Sequence, residues 1–156
     1  MAESARPLGG EAPGPKGQRR FTWDDPGWAE GNPGQGRFTC FPLGDAEHGP
    51  LIVLVEYAAG LRIGVHHHTS DYCSIVIKGE IEITRKREAV GSMRLVRGGT
   101  AYGPLVVGPE GCTVVEIFED RTTFATPVYL QRDDRLAAEG SPMPELVRQL
   151  VGQAWG

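Results

Sequence analysis

GLRIGVHHHTSDYCSIVIKG, residues 60–79, is the stretch that decides the fold. Polar and apolar residues alternate along much of it, as in a half-buried β-strand, and three consecutive histidines lie near its centre. Because successive side chains of a strand point to opposite faces, His66 and His68 share one face and His67 takes the other. At a rise of about 3.3 Å per residue, the two imidazoles on one face can converge on a single ion. The pattern therefore predicts a metal site at His66 and His68.

The spacing within this stretch resembles the first sequence motif of the cupin superfamily. The positions of that motif are held here by Gly60, His66, His68, Tyr72 and Gly79. In the family, the position of Tyr72 is usually a glutamate, which joins the two histidines as a third metal ligand. The resemblance therefore implies a metal-binding barrel with an altered ligand set.

A second motif of the same family follows in altered form. Its positions are held by Gly91, Arg97, Gly99, Tyr102 and Val106. The family usually has proline, glycine, histidine and asparagine at the last four, so Tyr102 stands where a third histidine would be. The resemblance extends over roughly residues 37–130 and implies a small single-domain cupin. The expected fold is all-β, an antiparallel double-stranded β-helix (cupin or jelly-roll barrel) with a short C-terminal α-helix.

Strand-like segments bounded by turn residues agree with this fold class, because many short strands without intervening helices indicate a sandwich or barrel. Gly108 to Gly111, with the sequence GPEG, is predicted to be a turn by its composition. A helix is predicted only at the end of the chain, where apolar residues recur at a three-and-four spacing over residues 143–154. The predicted strands cover residues 37–42, 51–57, 62–68, 71–78, 80–85, 93–96, 112–119 and 126–130.

Composition divides the chain into four parts. Residues 1–20 contain almost no large apolar side chain and are expected to form a disordered tail. Residues 21–36 are expected to form an arm that packs its aromatic rings on the barrel or on a partner subunit. The barrel itself is expected over residues 37–130, followed by a linker and the C-terminal helix over residues 131–156.

Charge and hydropathy limit the environment and the partners of the protein. With 156 residues and a net charge of −4, the chain has no basic surplus for nucleic-acid binding. No apolar run approaches the length of a membrane helix, and the polar N-terminal residues lack the apolar core of a signal peptide, so we expect a cytoplasmic protein. Cys40, Cys73 and Cys112 are odd in number and widely spaced, which favours reduced thiols.

The site implied by the resemblance contains two histidines and two phenols. In the cupin alignment Tyr72, Ser74 and Val76 point into the barrel, and Tyr102 faces them from another strand. A phenol with a pKa near ~10 is a poor metal ligand unless the ion lowers that pKa. A tyrosinate of Tyr72 or Tyr102, water and substrate oxygens, or the carboxylate of Glu116 could therefore complete the metal sphere. Strand parity does not decide whether Glu116 points inward, and a solvated outer-face charge is its ordinary interpretation.

Three function classes remain open on the sequence alone. The first is an enzyme in which His66 and His68 hold a divalent transition metal (Fe, Mn, Ni, Zn or Cu), with Tyr72 and Tyr102 as catalytic residues acting on a small oxygen-bearing metabolite. The second is a non-catalytic module that binds or senses a small ligand, with or without metal. The third is a structural or interaction protein. A homodimer is also expected, because strand residues such as Ile75 and Ile77 should leave apolar surface on the outside of the barrel.

Overall fold

The computed structural model describes residues 27–31, 34–43, 49–121 and 127–134, where the regular structure consists of ten β-strands and helical residues at 132–134. No helix within these ranges is long and apolar enough to cross a membrane. The strands are β1 (Ala29–Glu30), β2 (Gly36–Pro42), β3 (Leu51–Tyr57), β4 (Arg62–Ile63), β5 (His66–His67), β6 (Tyr72–Ile83), β7 (Lys86–Ala89), β8 (Met93–Val96), β9 (Leu105–Phe118) and β10 (Val128–Tyr129).

Strand β9 is the centre of the fold, since it pairs with β3, β4 and β6. Eight strands form one sheet with the order β1-β2-β3-β9-β6-β7, to which β8 is added through β6 and β4 through β9. Strands β5 and β10 form a second, two-stranded sheet. All the pairings between these strands are antiparallel, and the strand order is not the sequence order, as in jelly-roll folds. The predicted all-β antiparallel barrel is confirmed.

The strand register aligns inward-facing residues into rows that run across the large sheet. Because directly paired residues lie on the same face, each row collects side chains that are distant in sequence. One row contains Cys40, Val53, Glu116, Ser74 and Arg94. The neighbouring row contains Leu51, Phe118, Tyr72 and Val96. The two rows place polar and charged groups beside the apolar core of the barrel.

The core consists of two clusters of buried residues. One is built on the first part of the sheet and contains Phe38, Cys40, Leu51, Val53, Tyr72 and Phe118. The other lies around the centre of β9 and contains Val76, Ile81, Ile83, Leu105, Val107, Cys112 and Val114. Burial raises the pKa of Cys40 to about 12 and that of Cys112 to about 11, so both free thiols are protonated at neutral pH. They act as small apolar core residues.

The long strands β6 and β9 differ most from the strands predicted by sequence. Gly79 was expected to separate two strands, but β6 continues through it with a backbone φ of +69°. The predicted turn at Gly108–Gly111 is wrong, because these four residues lie inside β9. They stand opposite the single residue Glu80, between the pairs Gly79–Cys112 and Ile81–Val107. The glycines therefore mark a bulge in a continuous ladder and not a chain reversal.

Other boundaries agree closely with the sequence pattern. Strands β3 and β8 have the predicted bounds, and β2 begins one residue before its predicted start. Strand β7 was not predicted, because its sequence KREA is charged and lacks strand-like alternation. It forms through a tight hairpin after β6, in which Thr84 and Arg85 both have positive φ.

The chain before the barrel contributes a short edge strand. Strand β1, within the predicted arm, pairs with β2, and the Trp28 ring lies 4.5 Å from the Arg37 guanidinium. The predicted tail over residues 1–20 and the predicted C-terminal helix over residues 143–154 lie outside the described residues.

Candidate functional site

The histidine-bearing segment is held between two neighbours in the fold. His66 pairs with Tyr129 in the small sheet, and it also forms an isolated antiparallel bridge with Tyr102. In that bridge each backbone amide donates to the other residue's carbonyl, at 3.1 Å and 3.0 Å. The turn after β8 supports the end of the segment, since the Gly99 amide donates to the His68 carbonyl at 2.8 Å. These backbone bonds position the imidazoles before any ligand binds.

His66 is buried, and its ring is oriented by two hydrogen bonds. Nδ1 lies 2.8 Å from the Gly64 carbonyl oxygen, so this nitrogen carries the proton and donates. Nε2 then accepts a hydrogen bond from the Tyr102 hydroxyl at 3.1 Å. Burial is the main cause that lowers the pKa of His66 below its usual value. At neutral pH the ring is therefore a neutral imidazole whose Nε2 lone pair faces Tyr102.

His68 lies beside His66, as strand parity predicts. The two ring centroids are 5.3 Å apart and nearly perpendicular. The His68 ring also contacts the rings of Tyr72 and Phe118, at centroid distances of 5.3 Å and 5.1 Å. The predicted pair and the two predicted tyrosines thus share one location, with the rings of Tyr72 and Tyr102 6.3 Å apart.

All four tyrosines of the chain lie around this location. Burial raises the pKa of Tyr72 and of Tyr102 above the usual phenol value, so both are neutral hydrogen-bond donors at neutral pH. Tyr57 and Tyr129 also have raised pKa values because of burial, and the Tyr129 ring lies 5.2 Å from the His66 ring. Sequence reasoning missed these two. The alternation of Leu51, Val53, Val55 and Tyr57 along β3 is a signal that could have identified Tyr57.

Glu116 points into the barrel and not to solvent. It pairs directly with Val53 and Ser74, both of which face the interior. Burial raises the pKa of this carboxyl to about 7, against the opposing influence of the positive charge of Arg94. A carboxyl with this pKa can both accept and donate a proton near neutral pH.

Arg94 is the interior cation of the site, and sequence reasoning did not identify it. It pairs with Ser74 on the inward face, while its neighbours Met93 and Leu95 on β8 are exposed. Its guanidinium carbon lies 4.7 Å from the centre of the Tyr102 ring. Four residues of β8 give too short a pattern to show which face is inward. Only the pairing with β6 identifies it.

Comparison with known proteins identifies the fold. No protein-family model and no curated protein matches the sequence. An RmlC-like cupin from Shewanella frigidimarina superposes with a TM-score of 0.53 at 19% identity, over 65% of this chain and 90% of that one. The chain has the cupin fold.

Two larger chains contain a region of similar fold. One belongs to the complex of Rhodobacter sphaeroides SigE with the anti-sigma ChrR, with 16% identity, a TM-score of 0.53 and coverage of 63% of this chain. The other is Bacillus subtilis oxalate decarboxylase, in a study of its Mn(II) centres, with 14% identity, a TM-score of 0.53 and coverage of 67%. This chain spans 51% of the former and 32% of the latter. At these identities the likeness is one of fold.

The interior of this cupin barrel fits two ligands of a divalent metal. The donation from His66 Nδ1 to a backbone carbonyl is the arrangement that orients metal-binding histidines, and a metal at Nε2 would replace the hydrogen bond from Tyr102. The His68 ring centroid lies 5.3 Å from that of His66, a separation compatible with a shared ion. Within the described part of the chain, no group of three His, Cys, Asp or Glu side chains is placed to hold a metal. The remaining positions would therefore belong to phenols, water or substrate oxygens.

Proposed function

We propose that this protein is a metal-dependent cupin enzyme acting on a small oxygen-bearing metabolite inside the barrel. The observation that carries the proposal is the inward pair His66 and His68, with the His66 ring fixed by the Gly64 carbonyl. The two imidazoles would hold a divalent transition metal, which when bound supplies Lewis-acid polarisation of a substrate oxygen. With only two protein nitrogens, the site leaves positions open for that substrate.

The protonation states of the residues around the histidine pair indicate which of them donate hydrogen bonds and which transfers a proton. Tyr72 and Tyr102 are neutral phenols at pH 7. Tyr72 can donate a hydrogen bond to a substrate oxygen that gains negative charge, and Tyr102 can do so when a metal takes the His66 Nε2 lone pair. Glu116, with a pKa of about 7, is the group suited to take up or release a proton. Without a metal, the Tyr102 hydroxyl donates to His66 Nε2 and orients that ring. Substrate hydrogen bonding by the phenols and proton transfer by the carboxyl are therefore separate roles.

A second candidate function is a metal-free module that binds a small ligand. It is favoured by the hydrogen bond from the Tyr102 hydroxyl to His66 Nε2, because that bond uses the lone pair a metal would need. In this case the two histidines and four tyrosines would form a hydrogen-bonding cavity without turnover. The two candidates differ in whether the protein retains metal.

Metal content of the purified protein and of single-histidine variants tests the first candidate. We expect the wild type to retain about one ion per chain after dialysis, and His66→Ala and His68→Ala to bind that metal at least ~10-fold more weakly. His67→Ala is the matched control, since His67 points away from the pair and should retain the metal. Tyr72→Phe and Tyr102→Phe should also retain it. Equal metal content in the wild type and in a His66→Ala, His68→Ala double variant would exclude the metal site.

A homodimer is a further expectation, because the outer face of the sheet is apolar. Leu95 is 81% exposed and Met93 62% exposed on β8, an exposure typical of a contact surface. The row of paired residues that begins at Leu95 continues through further apolar residues, namely Cys73, Ile117, Ile52 and Phe41.

Sedimentation equilibrium at micromolar concentration tests this expectation. Leu95→Lys should weaken dimerisation about 10-fold or more, since burying a leucine side chain contributes roughly 1.5–3 kcal/mol. Leu130→Lys is the control, because Leu130 is 59% exposed and lies directly after β10, outside the large sheet. A monomeric wild type would contradict the prediction.

A further inference from the structure

Arg94 is the one residue of β8 that turns a charged side chain toward the barrel interior. Its row across the sheet places Ser74 next to it and Glu116 beyond Ser74. Arg94 is half-buried, and a nearby anion or hydrogen-bond acceptor stabilises a cation at such a position. The described residues offer it Glu116 as the nearest opposite charge in the row.

The guanidinium has no close carboxylate partner among the described residues. The ion pairs found there, with N to O distances up to 4.0 Å, are Arg37 with Glu56 and Arg87 with Glu80. Arg94 instead lies over the Tyr102 ring and acts on Glu116 only through its charge, which lowers that carboxyl's pKa. The planar, five-donor face of the guanidinium, which matches a carboxylate, is therefore not used by an ion pair within this part of the fold.

A second unsatisfied donor stands next to it. Tyr72 is 5% exposed, and no acceptor for its buried hydroxyl proton is found among the described residues. The hydroxyl oxygen faces donors of Arg94 and Tyr102, which lower the pKa of Tyr72 against the larger effect of burial. A buried hydroxyl without a partner destabilises a protein, which indicates that an absent group normally accepts from it.

We propose that Arg94 and Tyr72 together bind the carboxylate of the substrate, so that the substrate class is a small carboxylic acid. This inference rests on the proposed function for the identity of the site and extends it to the ligand. One carboxylate oxygen accepts from the guanidinium and the other from the Tyr72 hydroxyl, which satisfies both donors. The rest of the ligand then lies against the Tyr102 ring and points toward His66 and His68.

The experiment compares carboxylates with their neutral amides on the full-length protein. A panel of 2-oxo and 2-hydroxy monocarboxylates, including pyruvate and benzoylformate, is screened by saturation-transfer NMR, together with the matching amides and inorganic phosphate. Ligands that bind are then titrated by calorimetry against wild type, Arg94→Gln, Tyr72→Phe and Arg62→Gln. Arg62 is an exposed arginine on β4, so Arg62→Gln removes the same positive charge as Arg94→Gln but at a position outside the barrel.

We expect carboxylates to bind the wild type. The matching amides should bind at least about 10-fold more weakly. Arg94→Gln should lower carboxylate affinity by about 10- to 100-fold and Tyr72→Phe by about 10-fold, while Arg62→Gln leaves it unchanged. Tyr72→Phe keeps the buried ring, so it remains informative if Arg94→Gln does not fold. Equal binding of amides, equal affinities of the Arg94 and Arg62 variants, stronger binding of phosphate, or no bound carboxylate would overturn the inference.

Repeating the titrations with chelator-treated protein separates this inference from the proposed function. A protein that retains no metal but still loses carboxylate affinity on Arg94→Gln would contradict the metal-dependent function and support the carboxylate site. If the protein retains metal through His66 and His68 but Arg94→Gln does not change carboxylate affinity, the metal-dependent function is supported and the carboxylate site is contradicted. The two failures are therefore distinguishable.

Discussion

Replacing Gly79 with alanine is expected to destabilise the protein by about 3 kcal/mol or more, which corresponds to a fall in Tm of about 6–12 °C. Gly79 has a φ of +69°, where an L side chain is strained. An added Cβ would also overlap the carbonyl oxygen of Gly111 and lie 3.0 Å from its carbonyl carbon. Both obstacles are backbone atoms of the central ladder between β6 and β9, so they cannot move away cheaply.

Gly60→Ala separates the two contributions. Gly60 has a similar φ of +72°, but nothing lies within 4 Å of the position its Cβ would take. Its replacement should therefore cost only the conformational strain, about 1 kcal/mol. Urea unfolding of both variants and the wild type provides the comparison. If Gly79→Ala and Gly60→Ala lost equal stability, close approach of β6 and β9 at the bulge would not be the reason that a glycine is needed there.

Replacing Glu116 with glutamine is expected to make the protein more stable at high pH by up to about 3 kcal/mol. The pKa of this carboxyl rises from 4.5 in the unfolded chain to about 7 in the folded protein, chiefly through burial. The native state thus binds the proton more tightly, so the stability conferred by Glu116 is complete below pH 4.5. It is lost as the pH rises toward and through 7, where the buried carboxyl ionises.

The test is the difference in unfolding free energy between Glu116→Gln and the wild type at pH 5 and pH 8. This difference should be small at pH 5 and large at pH 8. Because His66 titrates in both proteins, its contribution cancels and the difference reports on Glu116 alone. Glu82→Gln serves as the control, since it makes the same replacement at an exposed position of β6. A difference that did not change with pH would mean that the Glu116 carboxyl ionises as easily in the folded protein as in the unfolded one.

Local sequence determined the fold class and the first part of the site. Alternation over residues 51–57 and 93–96 was sufficient to place β3 and β8, because strand periodicity is a property of neighbouring residues. The same parity correctly placed His66 and His68 on one face. The resemblance of residues 60–79 to a cupin motif indicated the barrel that the structure adopts. Glycine was harder to interpret, since Gly79 and the GPEG segment look like turns in sequence but form a bulge between two long strands.

The tertiary structure alone decided what surrounds the histidines. Whether Glu116 and Arg94 face the interior depends on the register by which β8 and β9 pair with β6, and a shift of one residue would turn each of them outward. Tyr129 reaches His66 only because β10 pairs with β5 across more than sixty residues of chain. Such pairings are set by burial of the whole core and leave no local signal in the sequence. The two imidazoles were therefore predictable from residues 66–68, whereas the cation, the carboxyl of raised pKa and Tyr129 required the closed barrel.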